Sequence, residues 1–175
     1  NPRNFDLLTA NVWRNGFTNV ICFPWAVGSE HGFAELFLSP DNGGDHRLYA
    51  PDELRESVRV RVAGLDAIEA LRPPVDVVKI DVQGAEEGVV RGMRSLLSGS
   101  PDVLVTLEFW PAGARQWGSD PQGLLDFYRS LGFGIRVQLP DEKGLIDLTD
   151  SEILAHCATG DGDGHVNLVL EVARG

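Results

Sequence analysis

The alternation at the centre of the chain constrains its fold most. Val75–Val82 is a short apolar run, with Pro73-Pro74 before it and Gly84 after it. That is the pattern of a buried strand in a parallel sheet. In residues 85–97, Val89, Val90, Met93, Leu96 and Leu97 fall on one helical face, and the turn Ser98-Gly99-Ser100-Pro101 leads to a second apolar run, Asp102–Phe109. Residues 121–131 form an amphipathic helix pattern with Leu124, Leu125, Phe127, Tyr128 and Leu131 on its face, ended by Gly132. Strand patterns follow at 133–139 and 166–172. Strand, helix, strand, helix, strand predicts an α/β fold with a mostly parallel sheet.

The first third is more broken. Phe5, Leu8 and Val12 predict a helix over 3–14, and Gly16 ends it. Asn19–Val27 reads as a strand, and Pro24 within it places that strand at an edge. Residues 32–38 and 57–63 read as two further strands. The loop between them contains DNGGDHRLYAPDE, and loops this long are functional or disordered. A short helix is expected over 65–71, stopped by Pro73-Pro74. Trp13, Trp25 and Cys22 are assigned to the core. With no repeat and no linker, residues 1–175 are read as a single domain.

Composition excludes several classes. The 175 residues are 43% hydrophobic and 23% charged, as in an ordinary globular domain. The formal charge is −11, which disfavours nucleic acid and anionic membrane surfaces as partners. No stretch is long and apolar enough to span a bilayer, and no secretion signal is visible at the start. Two cysteines, Cys22 and Cys157, make no disulfide framework, so a reduced, cytoplasmic protein is expected. Asp161-Gly-Asp-Gly164 looks like half a calcium loop but lacks the later Glu, so it reads as a turn and no metal site is expected. No Ser-His-Asp order or G-x-S-x-G elbow supports a serine hydrolase. The 13 Arg against 2 Lys fit a bacterial gene of high GC content.

Ligands of open α/β sheets bind beyond the carboxyl ends of the strands. One predicted strand ends at Asp81 and its neighbour at Glu108, followed by Phe109-Trp110-Pro111. Each carboxylate closes an apolar run, where a charge is either used or serves as a cap. Asp81 is also a good N-cap, and Glu86 suits the first turn of the next helix. Lys79 either pairs with an acid or snorkels. His46 in the long loop is a candidate acceptor contact, though a lone loop His is usually just solvated; His165 carries the same caution.

The segment VVKIDVQGAE, residues 77–86, resembles the signature of the FkbM family of S-adenosylmethionine-dependent methyltransferases. Other pieces fall in matching order: NPRNFDLL at 1–8, Asn19–Gly28 with its Ala-Val-Gly turn, Leu65-Asp66, and Val103–Glu108. The resemblance implies a Rossmann-like methyltransferase sheet. The family's first two strands and glycine-rich cofactor loop precede residue 1, so this sheet is expected to lack them, with a gap between the strand at 19–27 and the strand at 75–81. Exposed sheet edges would then invite self-association. The resemblance further implies O-methylation of a small hydroxylated metabolite or sugar. Asp81 would lie beside the methionine part of S-adenosylmethionine, Val27 and Gly28 near its adenine, and Glu108 would act as base, with Trp110 and His46 facing a small-molecule acceptor. The alternatives are a non-catalytic, methyltransferase-like interaction module and a nucleotide-binding α/β enzyme of another class.

Overall fold

The computed structural model describes all residues except 52, 140–142, 159–163 and 174–175. The Asp161-Gly-Asp-Gly164 turn lies largely outside the described residues. Helix α1 (Pro2–Arg14) is followed by a small sheet made of β1 (Ala26–Val27), β2 (Gly32–Phe37) and β3 (Ser57–Ala63). A larger sheet contains β4 (Val77–Ile80), β5 (Leu104–Phe109), β6 (Phe133–Gln138), β7 (Leu145–Ile146) and β8 (Val166–Val172). Between these strands run α2 (Glu86–Arg91), α3 (Arg94–Ser98), α4 (Pro111–Trp117), α5 (Pro121–Ser130) and α6 (Asp150–Cys157).

The small sheet has the order β1-β3-β2 and the large one β4-β5-β8-β6-β7. The strand at the first position and the strand at 77–80 thus belong to different sheets, and β1 is an edge, as Pro24 suggested. The mostly parallel sheet is not observed. Among the described strands only β1–β3 and β4–β5 pair in parallel; β2–β3, β5–β8, β6–β8 and β6–β7 are antiparallel. The helical crossovers do make β4, β5 and β6 run the same way. However, β8 inserts between β5 and β6 in the opposite direction, converting both of its ladders to antiparallel.

One face of the large sheet carries the core. Val105, Leu107 and Phe109 of β5, Phe133, Ile135 and Val137 of β6, and Val166, Leu168 and Leu170 of β8 are all buried. Against them pack Val89, Val90 and Met93, Leu124, Leu125 and Tyr128, and Ile153 and Cys157. The alternate residues, among them Thr106, Glu108, Arg136 and Val169, are only half-buried. Strand β4 is less buried than its apolar run suggested, because it lies at the sheet edge and Val77 is 62% exposed.

The expected helix over 85–97 is two helices broken at Gly92-Met93, and the break is specific. Asp66, in a short 3₁₀ turn after β3, accepts the amides of Ser95 and Leu96 at 2.9 and 2.8 Å, capping α3 from 30 residues away in sequence. The Asp66 amide in turn donates to Gly92 O at 2.9 Å. Here the small sheet meets the α2–α3 corner through glycine. A β-carbon on Gly92 would collide with the carbonyl of Gly28, and one on Gly64 would lie 3.1 Å from Gly92 O.

The N-terminal third packs more loosely than expected. Trp13 is 81% exposed rather than core, because α1 buries no residue fully. Trp25 and Cys22 are half-buried. The strand expected over 19–27 shrinks to its last two residues, since only Ala26 and Val27 find partners, on Val62 and Ala63. No helix among the described residues is long and apolar enough to cross a membrane.

Gly92→Ala should destabilise the fold by about 1–3 kcal/mol, the usual cost of overpacking. Gly43→Ala, with nothing within 4 Å, should fall within about 0.5 kcal/mol of the wild type. Chemical denaturation measures both, and equal stabilities would contradict the glycine junction.

Candidate functional site

The parallel strands β4 and β5 end side by side. Ile80 pairs with Leu107, so Asp81 and Glu108 stand at the same level on the half-covered face. Among the described residues, four grooves open elsewhere. The one of about 640 Å³ is lined by Arg129, Arg136, Asp147 and Glu171 at the opposite end of the strands, and none borders Asp81 or Glu108.

Asp81 does not cap α2. Its carboxylate accepts the Gln83 side-chain amide at 3.0 Å and lies 3.8 Å from Lys79 Nζ. Lys79 also donates to Ile80 O at 3.1 Å, so it pairs with an acid while holding the strand end. Both members are about half exposed. After Asp81 the chain makes a tight turn in which Gln83 has φ 55° and Gly84 φ 101°. Gly84 is required there, because a β-carbon would sit 2.6 Å from the backbone of Gly113 in α4.

Glu86, read from sequence as a first-turn carboxylate favoured by the helix dipole, is 2% exposed. Its Oε1 accepts the Gly84 amide at 3.0 Å. Burial pushes its carboxyl above the usual carboxylate range. The amides of Gly84, Glu86 and Val82 act against that shift, and the charge of Glu108 adds to it. Glu108 itself lies 3.7 Å from His165 Nε2, at the start of β8, and directly opposite Asn167.

Trp110 is not open to a ligand as its position suggested. It is 8% exposed, its ring packs against Gly113, and the Arg47 guanidinium lies 4.7 Å above it. Arg47 comes from the long 39–56 loop, whose described residues are tied together by ion pairs. Arg47 bonds Asp45 at 2.7 Å and reaches Gln116 of α4, while Arg55 bonds Asp45 at 2.7 Å and also pairs with Glu53. Burial pushes the Asp45 carboxyl up, and the bonds and charges of the two arginines outweigh it, holding it below its usual value.

His46, the expected acceptor contact, is turned away from the strand ends. Its Nδ1 accepts the Ser39 amide at 3.1 Å and its Nε2 lies 2.8 Å from Asn1 Nδ2. Val27 packs against the core and Gly28 belongs to the glycine junction. Cys157 is buried and its thiol is pushed up to about 11, which leaves it unreactive. Sequence reasoning missed Arg47, whose one signal was its place in a loop too long to be a plain connection.

The fold is a mixed α/β arrangement with two carboxylates at the ends of adjacent parallel strands. The family model described as the methyltransferase FkbM domain matches residues 9–135, more than two-thirds of the chain, and the chain belongs to that family. No curated protein and no solved structure gives a significant match. The matched span includes Asp81, Glu86, Arg47 and Glu108, whereas His165 and β8 lie beyond it.

Arg47→Ala should free the loop from Trp110. A Glu-specific protease should then cut at Glu53 or Glu56 about tenfold faster, the loss of roughly 1.4 kcal/mol of cation–π and ion-pair anchoring. Unchanged cleavage would show that Arg47 does not hold the loop.

Proposed function

We propose that this methyltransferase moves a methyl group from S-adenosylmethionine to a hydroxyl of a small metabolite or sugar, in the cytoplasm, at the open ends of β4 and β5. The observation that carries the reading is Asp81, held half-exposed at a strand end by Gln83 and Lys79, level with Glu108. The fit to the cofactor rests on charge. A half-exposed carboxylate beside a lysine suits the ammonium and carboxylate of an amino-acid group, and Asp81 takes the ammonium. When bound, the cofactor supplies a methyl group on a sulfonium, whose loss leaves a neutral thioether. The chain's own part is placement of the two reactants and removal of the acceptor proton. Glu108 would take that proton from the acceptor hydroxyl as the methyl group is transferred. Its neighbour His165 lies close enough to receive it in turn.

A second reading, an interaction module that has lost catalysis, draws on the exposed Leu7, Leu8, Trp13 and Phe17 in and after α1 and on the unpaired edge of β4. Self-association through such edges is part of the proposal in either case.

Calorimetric titration of S-adenosylhomocysteine into the full-length protein separates the readings. Saturable binding at one site is expected. Asp81→Asn should weaken it at least about tenfold, in line with roughly 1.5–3 kcal/mol for a hydrogen bond to a charged group. Glu108→Gln should leave it within about twofold, because a base acts on the acceptor. Wild-type affinity in Asp81→Asn would remove Asp81 from the site.

A further inference from the structure

We propose that Glu86 is a positioning residue, whose buried carboxylate fixes the left-handed turn that presents Asp81 and Gln83. The inference rests on the cofactor reading above and extends it to a residue that touches no ligand.

Three observations converge on Glu86. A carboxylate that is 2% exposed is costly to retain unless its oxygens are used. Its Oε1 takes the Gly84 amide at 3.0 Å, and the amides of Val82 and of Glu86 itself also stabilise its charged form. These amides belong to the turn after Asp81, so the carboxylate fills the inside of that turn. The turn itself is one that L-residues resist: Gln83 stands at φ 55°, and it is the Gln83 amide that holds Asp81 at 3.0 Å. A non-glycine residue keeps such a conformation only where the surroundings enforce it. Glu86 enforces it from within, and outside it the Gly113 backbone lies so close that a β-carbon on Gly84 would meet it at 2.6 Å.

The groups facing Glu86 come from three further elements. Glu108 of β5, Tyr49 of the 39–56 loop and Tyr128 of α5 all couple to its charge. Tyr128 is fully buried and its Oη has no hydrogen-bond partner among the described residues. Glu86 thus sits between the turn on the donor side and the strand end that carries the base.

Glu86→Gln tests the assignment. It keeps the side-chain volume and one acceptor oxygen but loses the charge and the second acceptor. Native-state hydrogen exchange should show the Val82 and Gly84 amides exchanging about tenfold faster, with the β5 and β8 amides unchanged. Affinity for S-adenosylhomocysteine should fall about tenfold in Glu86→Gln, and it should fall no further when Glu86→Gln is added to Asp81→Asn, because both act through one carboxylate. Losses that multiply would overturn the proposal, as would wild-type exchange at Val82 and Gly84. If the wild type binds no S-adenosylhomocysteine, the cofactor reading falls, and the exchange result alone decides whether Glu86 holds the turn. Should Glu86→Gln fail to fold, Glu86→Asp keeps the charge and withdraws it by one methylene. Faster exchange confined to the turn is again the expected result, and unchanged exchange the contrary one.

Discussion

Backbone meets backbone at Gly28, Gly64 and Gly92, and the placement of the strand ends follows from that contact. The small sheet can approach the α2–α3 corner only because neither Gly64 nor Gly92 carries a β-carbon. The approach lets Gly92 O take the Asp66 amide while the Asp66 carboxylate caps α3. This bond set breaks the helical run after Arg91 and so fixes the direction of α2. The first residue of α2 is Glu86, and the turn that Glu86 fills begins at the end of β4. A contact between three glycines therefore sets where a carboxylate stands at the edge of a different sheet.

A second close approach continues the chain of contacts. Gly84 packs on Gly113, Gly113 on the Trp110 ring, and Trp110 under Arg47 of the long loop. The turn that carries Asp81 and the loop above the end of β5 are thus linked by direct packing. Both glycine contacts place the main chain where side chains would keep elements apart, and the Gly84–Gly113 contact is flanked by two residues in unfavourable environments. Gln83 is held at positive φ, and Glu86 is kept as a buried acid. Such departures from local preference concentrate where function needs fixed geometry.

Much of this was legible in the amino-acid sequence, and the misses have physical causes. The run from Val77 to Ile80 and the apolar faces of α2, α3 and α5 were readable because burial on one side imposes a period. The sheet was misread because sequence order says nothing of where β8 inserts. Parallel crossovers and antiparallel ladders coexist once it lies between β5 and β6. Helix α4 was missed because Pro111 at its start and Gly113 within it look like loop, while α6 carried an unread signal, the Thr149–Glu152 capping box. Of the site, the positions of Asp81 and Glu108 follow from the strand-end rule. The burial of Glu86, the covering of Trp110 and the reach of Arg47 depend on contacts between residues far apart in sequence, which no local pattern encodes.

The most direct measurement is the location of bound S-adenosylhomocysteine, by a crystal structure of the complex or by amide chemical-shift mapping. The arrangement of the strand ends predicts the ligand's amino group at the Asp81 carboxylate, with shifts concentrated over 81–86 and at Glu108. Binding instead in the groove of Arg129, Arg136 and Glu171, at the other end of the same strands, would contradict it.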